Sequence, residues 1–140
     1  MNLKKYFDEN RGVGILATAD GEGKVDAAVY ARPHVMDDAT IAMIMRDRLS
    51  HHNLQTNPHA AYLFHEAGSG YKGKRLLLTK IREEKDSDLL NSLRRRKYPD
   101  EQDEAKFVVF FKVNQELPLI GSGAKRQWSC KGLKQTNTDR

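Results

Sequence analysis

The β-prone runs between Gly12 and Arg46 follow one another with only turns between them, and that spacing constrains the fold most. A parallel pair of strands needs a crossover of roughly a dozen residues. Here Gly12 to Asp20, Lys24 to Met36 and Ile41 to Arg46 are separated by Asp20-Gly21-Glu22-Gly23 and Asp37-Asp38-Ala39. Turn residues at those points favour an antiparallel sheet over βαβ units. The second run alternates: Val25, Ala27, Val29, Ala31 and Val35 share one face, and Asp26, Tyr30, Arg32 and His34 share the other. Pro33 cannot donate to a ladder, so an edge or bulge is expected there.

The rest of the chain continues the pattern. Residues 2–10 read as a short helix with Leu3, Tyr6 and Phe7 on one face. The first strand is rich in small residues, which suits close packing against its backbone. After Arg46-Asp47-Arg48, a helix opens at Leu49-Ser50 and stops at Asn57-Pro58. Strands follow over His59–Phe64, Lys72–Arg82 and Ala105–Val113, with a helix over Asp86–Lys97 before the last. Its Arg94-Arg95-Arg96-Lys97 end complements the negative end of the helix dipole. The expectation is a mainly β (α+β) fold of six antiparallel strands with short flanking helices. Strands that are partly apolar on both faces indicate a sheet curled into a small barrel.

Charge separates this body from its tail. The chain carries a net +5, and residues 121–140 hold five basic residues against Asp139 alone. Residues 1–120 therefore form one nearly neutral domain, and 121–140 a basic polar tail. A neutral body argues against nucleic-acid binding, which needs a basic face on the folded part. No apolar run reaches membrane-spanning length, and the opening MNLKKYFDEN lacks the apolar core of a signal peptide, so a cytoplasmic location is expected. A single cysteine, Cys130, precludes an internal disulfide.

No catalytic side chain and no metal site can be assigned. The chain has no Gly-rich phosphate loop, no serine elbow and no set of His, Cys and carboxylate residues at metal spacing. His51 and His52 are adjacent, point to different sides of the helix, and read as a surface pair. The junction from Arg46 to Ser50 is the informative place. Two arginines delivered to the start of a helix suit either a phosphate site, where free N–H groups and the dipole attract an anion that guanidiniums grip, or a solvated pair beside a Ser50 that only caps. Ser50 is placed to cap the helix or to serve the phosphate. A phosphate-ready site without catalytic side chains suits a protein whose cofactor does the chemistry.

The order of these pieces is a small-residue strand, DGEGK, a long alternating strand, a DD turn, RDRLS, NLQTNP, HAAYLF and YKGKRLLL. It resembles the pyridoxamine 5′-phosphate oxidase-like FMN-binding split-barrel superfamily over about residues 10–113. The resemblance implies a split β-barrel homodimer with FMN at or near the interface. Its phosphate would be held by Arg46, Arg48, Ser50 and His52 beside Leu49, and its ring would lie along Val29, Tyr30, Ala31 and Arg32 and along Met43 to Met45. His34 and Trp128 are candidates for the substrate side, against an ordinary outer strand face for His34 and an anchor packed on the body for Trp128, and a small-molecule substrate or electron donor would be the partner. The implied activity is that of a small oxidoreductase, flavin reductase or electron carrier. Many members carry lysine where Ser50 stands. The basic C-terminal substrate motif of a true pyridoxamine 5′-phosphate oxidase is also missing. The alternatives are a haem-binding split barrel, with an axial ligand from His34, His51, His52, His59 or His65, and a non-enzymatic binding or regulatory module.

Overall fold

A computed structural model describes residues 2–68, 70–85, 87–93 and 105–121 of the 140. The elements run α1 (Leu3–Glu9), β1 (Gly12–Ala19), β2 (Val25–Val29), β3 (His34–Asp37), β4 (Thr40–Arg46), α2 (Leu49–Thr56), β5 (His59–Glu66), β6 (Gly73–Lys85), α3 (Asp88–Leu93) and β7 (Lys106–Pro118). All strand pairs are antiparallel, in the order β2-β1-β5-β6-β7-β4-β3. The mainly β class with short helices is as the sequence predicts. The strand count differs by one, because the long run over 24–36 divides into β2 and β3 around Tyr30–Pro33.

That division shapes the molecule. Strands β2 and β3 stand at opposite ends of the hydrogen-bonded order, yet only residues 30–33 join them. Laid flat, six strand spacings of about 4.8 Å would separate them by roughly 29 Å. The five Cα steps from Val29 to His34 reach at most about 18 Å. The sheet must therefore curl until its two ends approach, although no ladder joins them among the described residues. This is a split barrel rather than a closed one.

The inward faces of the strands supply the core. Leu16, Tyr62, Phe64, Leu76, Phe111 and Met45 are fully buried there, with Leu3 and Phe7 of α1 packed across one end. Phe7 meets Phe64 edge-on at a centroid separation of 5.3 Å. A second, smaller cluster lies on the opposite face, where Leu90 of α3 covers Ala42, Val108 and Phe110. Strand β7 is longer than the sequence pattern suggests, since it pairs with β6 as far as Lys74↔Pro118 and buries Leu117.

The turns form for the reasons expected. Asp20 Oδ1 accepts from the N–H groups of Glu22 and Lys24, and Gly23 takes φ +87°. Asn57 ends α2 in extended geometry before Pro58. The Arg94–Lys97 run, Trp128 and Cys130 lie outside the described residues. Among the described residues no helix is long and apolar enough to cross a membrane.

Candidate functional site

The segment that joins the two ends of the sheet also lines a cavity. Tyr30 N donates to Gly14 O at 2.9 Å, extending the β1–β2 ladder by one bond. From inside, the Tyr62 hydroxyl lies 3.0 Å from the Ala31 carbonyl oxygen and 3.3 Å from that of Tyr30. Its single proton is shared between the two. Gly14 makes room for this bracket: a Cβ there would stand 1.8 Å from the Tyr62 oxygen. The small residues of β1 thus admit the protein's own tyrosine. Arg32 turns away, its Nη1 donating to the carbonyls of Phe7 (2.6 Å) and Asn10 (3.1 Å) at the end of α1.

Two adjoining cavities result. The larger, about 610 Å³, lies between Gly12–Gly14 of β1, the Val29–Arg32 segment, His34 of β3 and Met43–Ile44 of β4. Its size is within the usual range of roughly 300–1,000 Å³ for small-molecule sites. The smaller, about 330 Å³, shares Val29, Tyr30 and Ile44 with it and ends at Asp26, Arg46, Arg48, Leu49 and Ser50. The larger space is mostly apolar, and the smaller one has Asp26, Arg46, Arg48 and the hydroxyl residues Tyr30 and Ser50 in its lining.

The charged end is built by a change of direction. Arg48 N donates to Arg46 O at 2.8 Å, a tight turn that takes the chain from β4 into α2. Arg46 and Arg48 still arrive on one side, beside the first N–H groups of the helix, which have no intrahelical acceptor. Ser50 is not the N-cap. Arg48 holds that position without a side-chain cap bond, and Ser50 is buried one residue inside the helix. Its Oγ donates to Asp26 Oδ2 at 3.3 Å. Burial, the largest effect, pushes the pKa of the Tyr30 hydroxyl up; a hydrogen bond with Ser50 pulls it back, the Asp26 carboxylate adds to the rise, and Arg48 opposes it. Tyr30, Ser50, Asp26 and Arg48 therefore form one electrostatic group.

The structure gathers most of the residues that the sequence nominated. Val29, Tyr30, Ala31, Arg32 and His34 line the larger cavity, and Arg46, Arg48, Leu49 and Ser50 the smaller. Met45 does not belong with them, being fully buried in the core and lining neither cavity. Ile44 of β4 lines both cavities, and Met43, a core residue like Met45, reaches only the larger one. His52 is exposed and lines neither cavity.

His51 corrects the reading of a surface histidine pair. It is only 6% exposed. Its ring stacks on Phe107 at 3.8 Å, and Nε2 lies 3.0 and 3.1 Å from the two carboxylate oxygens of Glu83. Burial opposes ionisation of Glu83, but hydrogen bonds from Lys80, Gln55 and His51 outweigh it and hold the carboxyl at about 2. This network ties α2 to β6, while Asn53 Nδ2 ties it to β1 by donating to Thr18 Oγ1 at 3.0 Å. Asp26, which lines the smaller cavity, and Glu83, which supports α2, are the residues that sequence reasoning missed. Asp26 was open to discovery, since it shares the Tyr30 parity of its strand. Glu83 was not, because its partner lies 32 residues away.

Similarity to known proteins is structural. No protein-family model matches the sequence, and no curated protein matches it. Among solved structures, an FMN-binding protein from Syntrophomonas wolfei superposes with a TM-score of 0.68 at 16% identity, covering 84% of each chain. A protein of the pyridoxinephosphate oxidase family from Clostridium acetobutylicum, related to general stress protein 26, gives 0.55 at 11% identity, covering 81% of this chain and 83% of that one. The heme storage protein HutZ from Vibrio cholerae gives 0.54 at 18% identity, with 81% and 90% covered. The chain thus has the split-barrel fold. It is the fold shared by the FMN-binding, pyridoxinephosphate oxidase-family and heme storage proteins just described.

Proposed function

We propose that the chain binds FMN as a homodimer and acts as a small oxidoreductase, flavin reductase or electron carrier in the cytoplasm. One observation carries this reading: a mostly apolar cavity adjoins a second cavity lined by two arginines at a helix start. A flat heteroaromatic ring and a phosphate on a polar chain match those two ends. A bound flavin would supply hydride or electron transfer. The chain's own residues would grip the phosphate through Arg46, Arg48 and the first N–H groups of α2. The Val29–Arg32 backbone would orient the ring, with His34 on the side where a small-molecule substrate or electron donor would approach.

The face that β2 leaves uncovered supports the dimer. Val25 and Val29 are 83% and 75% exposed, while Asp26 and Ala28 between them are half-buried, the reverse of an ordinary outer strand. Ladder partners Ile15 and Ala17 on β1 extend this apolar surface to the rim of the larger cavity. A second copy laid on it would shield both the valines and the ring.

Titration of purified protein with FMN, followed by flavin fluorescence, tests the reading. Saturable binding at micromolar concentration or tighter is expected, and no binding there refutes it. His34 favours a second reading, since among the described histidines it alone lines the larger cavity. A haem would then sit where the flavin ring is placed, and a Soret band on haem addition that His34→Ala abolishes would select it.

A further inference from the structure

The phosphate end of the site contains a group that a tight anion site would exclude. Among the side chains that form the smaller cavity, Arg46 and Arg48 bring two positive charges and Asp26 brings a negative one, a net of +1. A phosphate monoester carries about −1.5 to −2 at neutral pH. Asp26 is not a distant neighbour, because its Oδ2 accepts the Ser50 hydroxyl at 3.3 Å at the start of the helix. The ladder explains why it points there: Asp26 pairs with buried Thr18 on β1, so its side chain shares the face on which α2 packs.

On the flavin reading, we propose that Asp26 is a specificity-determining residue that limits the site's affinity for the phosphate and keeps the flavin exchangeable. The carboxylate repels the phosphate and competes with it for the Ser50 hydroxyl and the guanidiniums. At the same time Asp26, Ser50 and Tyr30 present two hydroxyls and an acceptor, a set suited to the hydroxyls of the flavin side chain. The site thereby reads that chain at the expense of its charged end, as a protein needs when flavin is a passing ligand instead of a resident group.

Asp26→Asn tests this, since the amide keeps an acceptor for Ser50 and removes only the charge. Affinities for FMN and riboflavin are measured on wild type and variant, with stopped-flow dissociation of FMN. The FMN-to-riboflavin affinity ratio is expected to rise about tenfold or more in the variant, and FMN to leave more slowly. An unchanged or lower ratio overturns the proposal while leaving the flavin reading intact, because Asp26 would then serve to hold the arginines or Ser50. Wild-type protein that binds neither flavin removes both. Circular dichroism verifies the fold of the variant, and Asp26→Ser, smaller and also uncharged, is expected to shift the ratio in the same direction.

Discussion

Replacing Glu83 by glutamine isolates the charge that ties α2 to β6. The glutamine retains the size and hydrogen-bonding capacity of the original but leaves Lys80, Gln55 and His51 without a carboxylate. In the folded protein the Glu83 carboxyl is held at about 2 against an ordinary 4.5. That gap, at about 1.36 kcal/mol per pH unit, corresponds to roughly 3 kcal/mol at neutral pH. Only 23% of the side chain is exposed, so solvent screening trims this figure without erasing it. A depressed pKa stabilises the fold above the unfolded-state value, and the contribution drains away as pH falls through the folded one. The variant is therefore expected to be less stable by about 2–3 kcal/mol at pH 7, and less than half of that difference is expected to remain at about pH 3. Urea unfolding of wild type and variant at a series of pH values gives the difference directly. A penalty that stays flat from neutral pH to about pH 3 would refute the reasoning, since only loss of the charge can produce the decline.

Three other outcomes are expected. Arg48→Ala, and separately Arg46→Ala, lowers the FMN-to-riboflavin affinity ratio by roughly 10- to 150-fold, from about 1.5–3 kcal/mol per charge-assisted hydrogen bond; unchanged ratios in both variants place the phosphate elsewhere. Wild-type protein elutes and scatters light as a dimer and Val29→Glu as a monomer, whereas two identical species would show that the β2 face is not the interface. Gly14→Ala destabilises the fold by about 3 kcal/mol or more because its Cβ meets the Tyr62 ring and hydroxyl, and Tyr62→Phe in the same chain recovers part of the lost melting temperature.

Residues whose behaviour follows from near neighbours were legible in the sequence. Asp20 Oδ1 shapes the Asp20-Gly21-Glu22-Gly23 turn by accepting from Glu22 and Lys24, and Pro58 keeps Asn57 out of helical geometry at the end of α2. The parity of Arg46 and Arg48 likewise survived into a shared cavity. What failed depended on partners remote in sequence. Ser50 looks like a cap because serine caps helices, yet Asp26, 24 residues earlier, draws its hydroxyl inside. His51 looks like a surface residue until Phe107 and Glu83 are brought to it. The split of the 24–36 run was half legible: Pro33 announced an interruption, but nothing local says that the strand beyond it joins the far end of the sheet.

That connection has a consequence for how the protein is made. The first hairpins form early and cheaply from adjacent residues, but β4 pairs with β7, so that Ile41 waits for Phe111. Until β7 has left the ribosome, β2-β1-β5-β6 and β4-β3 are two separate ribbons, tethered by residues 30–33 and by α2. Gly12–Gly14 belongs to one ribbon and Met43–Ile44 to the other, so no chain that still lacks β7 owns the cavity. Occupancy of that cavity would then be a signature of a completed barrel, and a ligand held there would act as a seal on all seven strands.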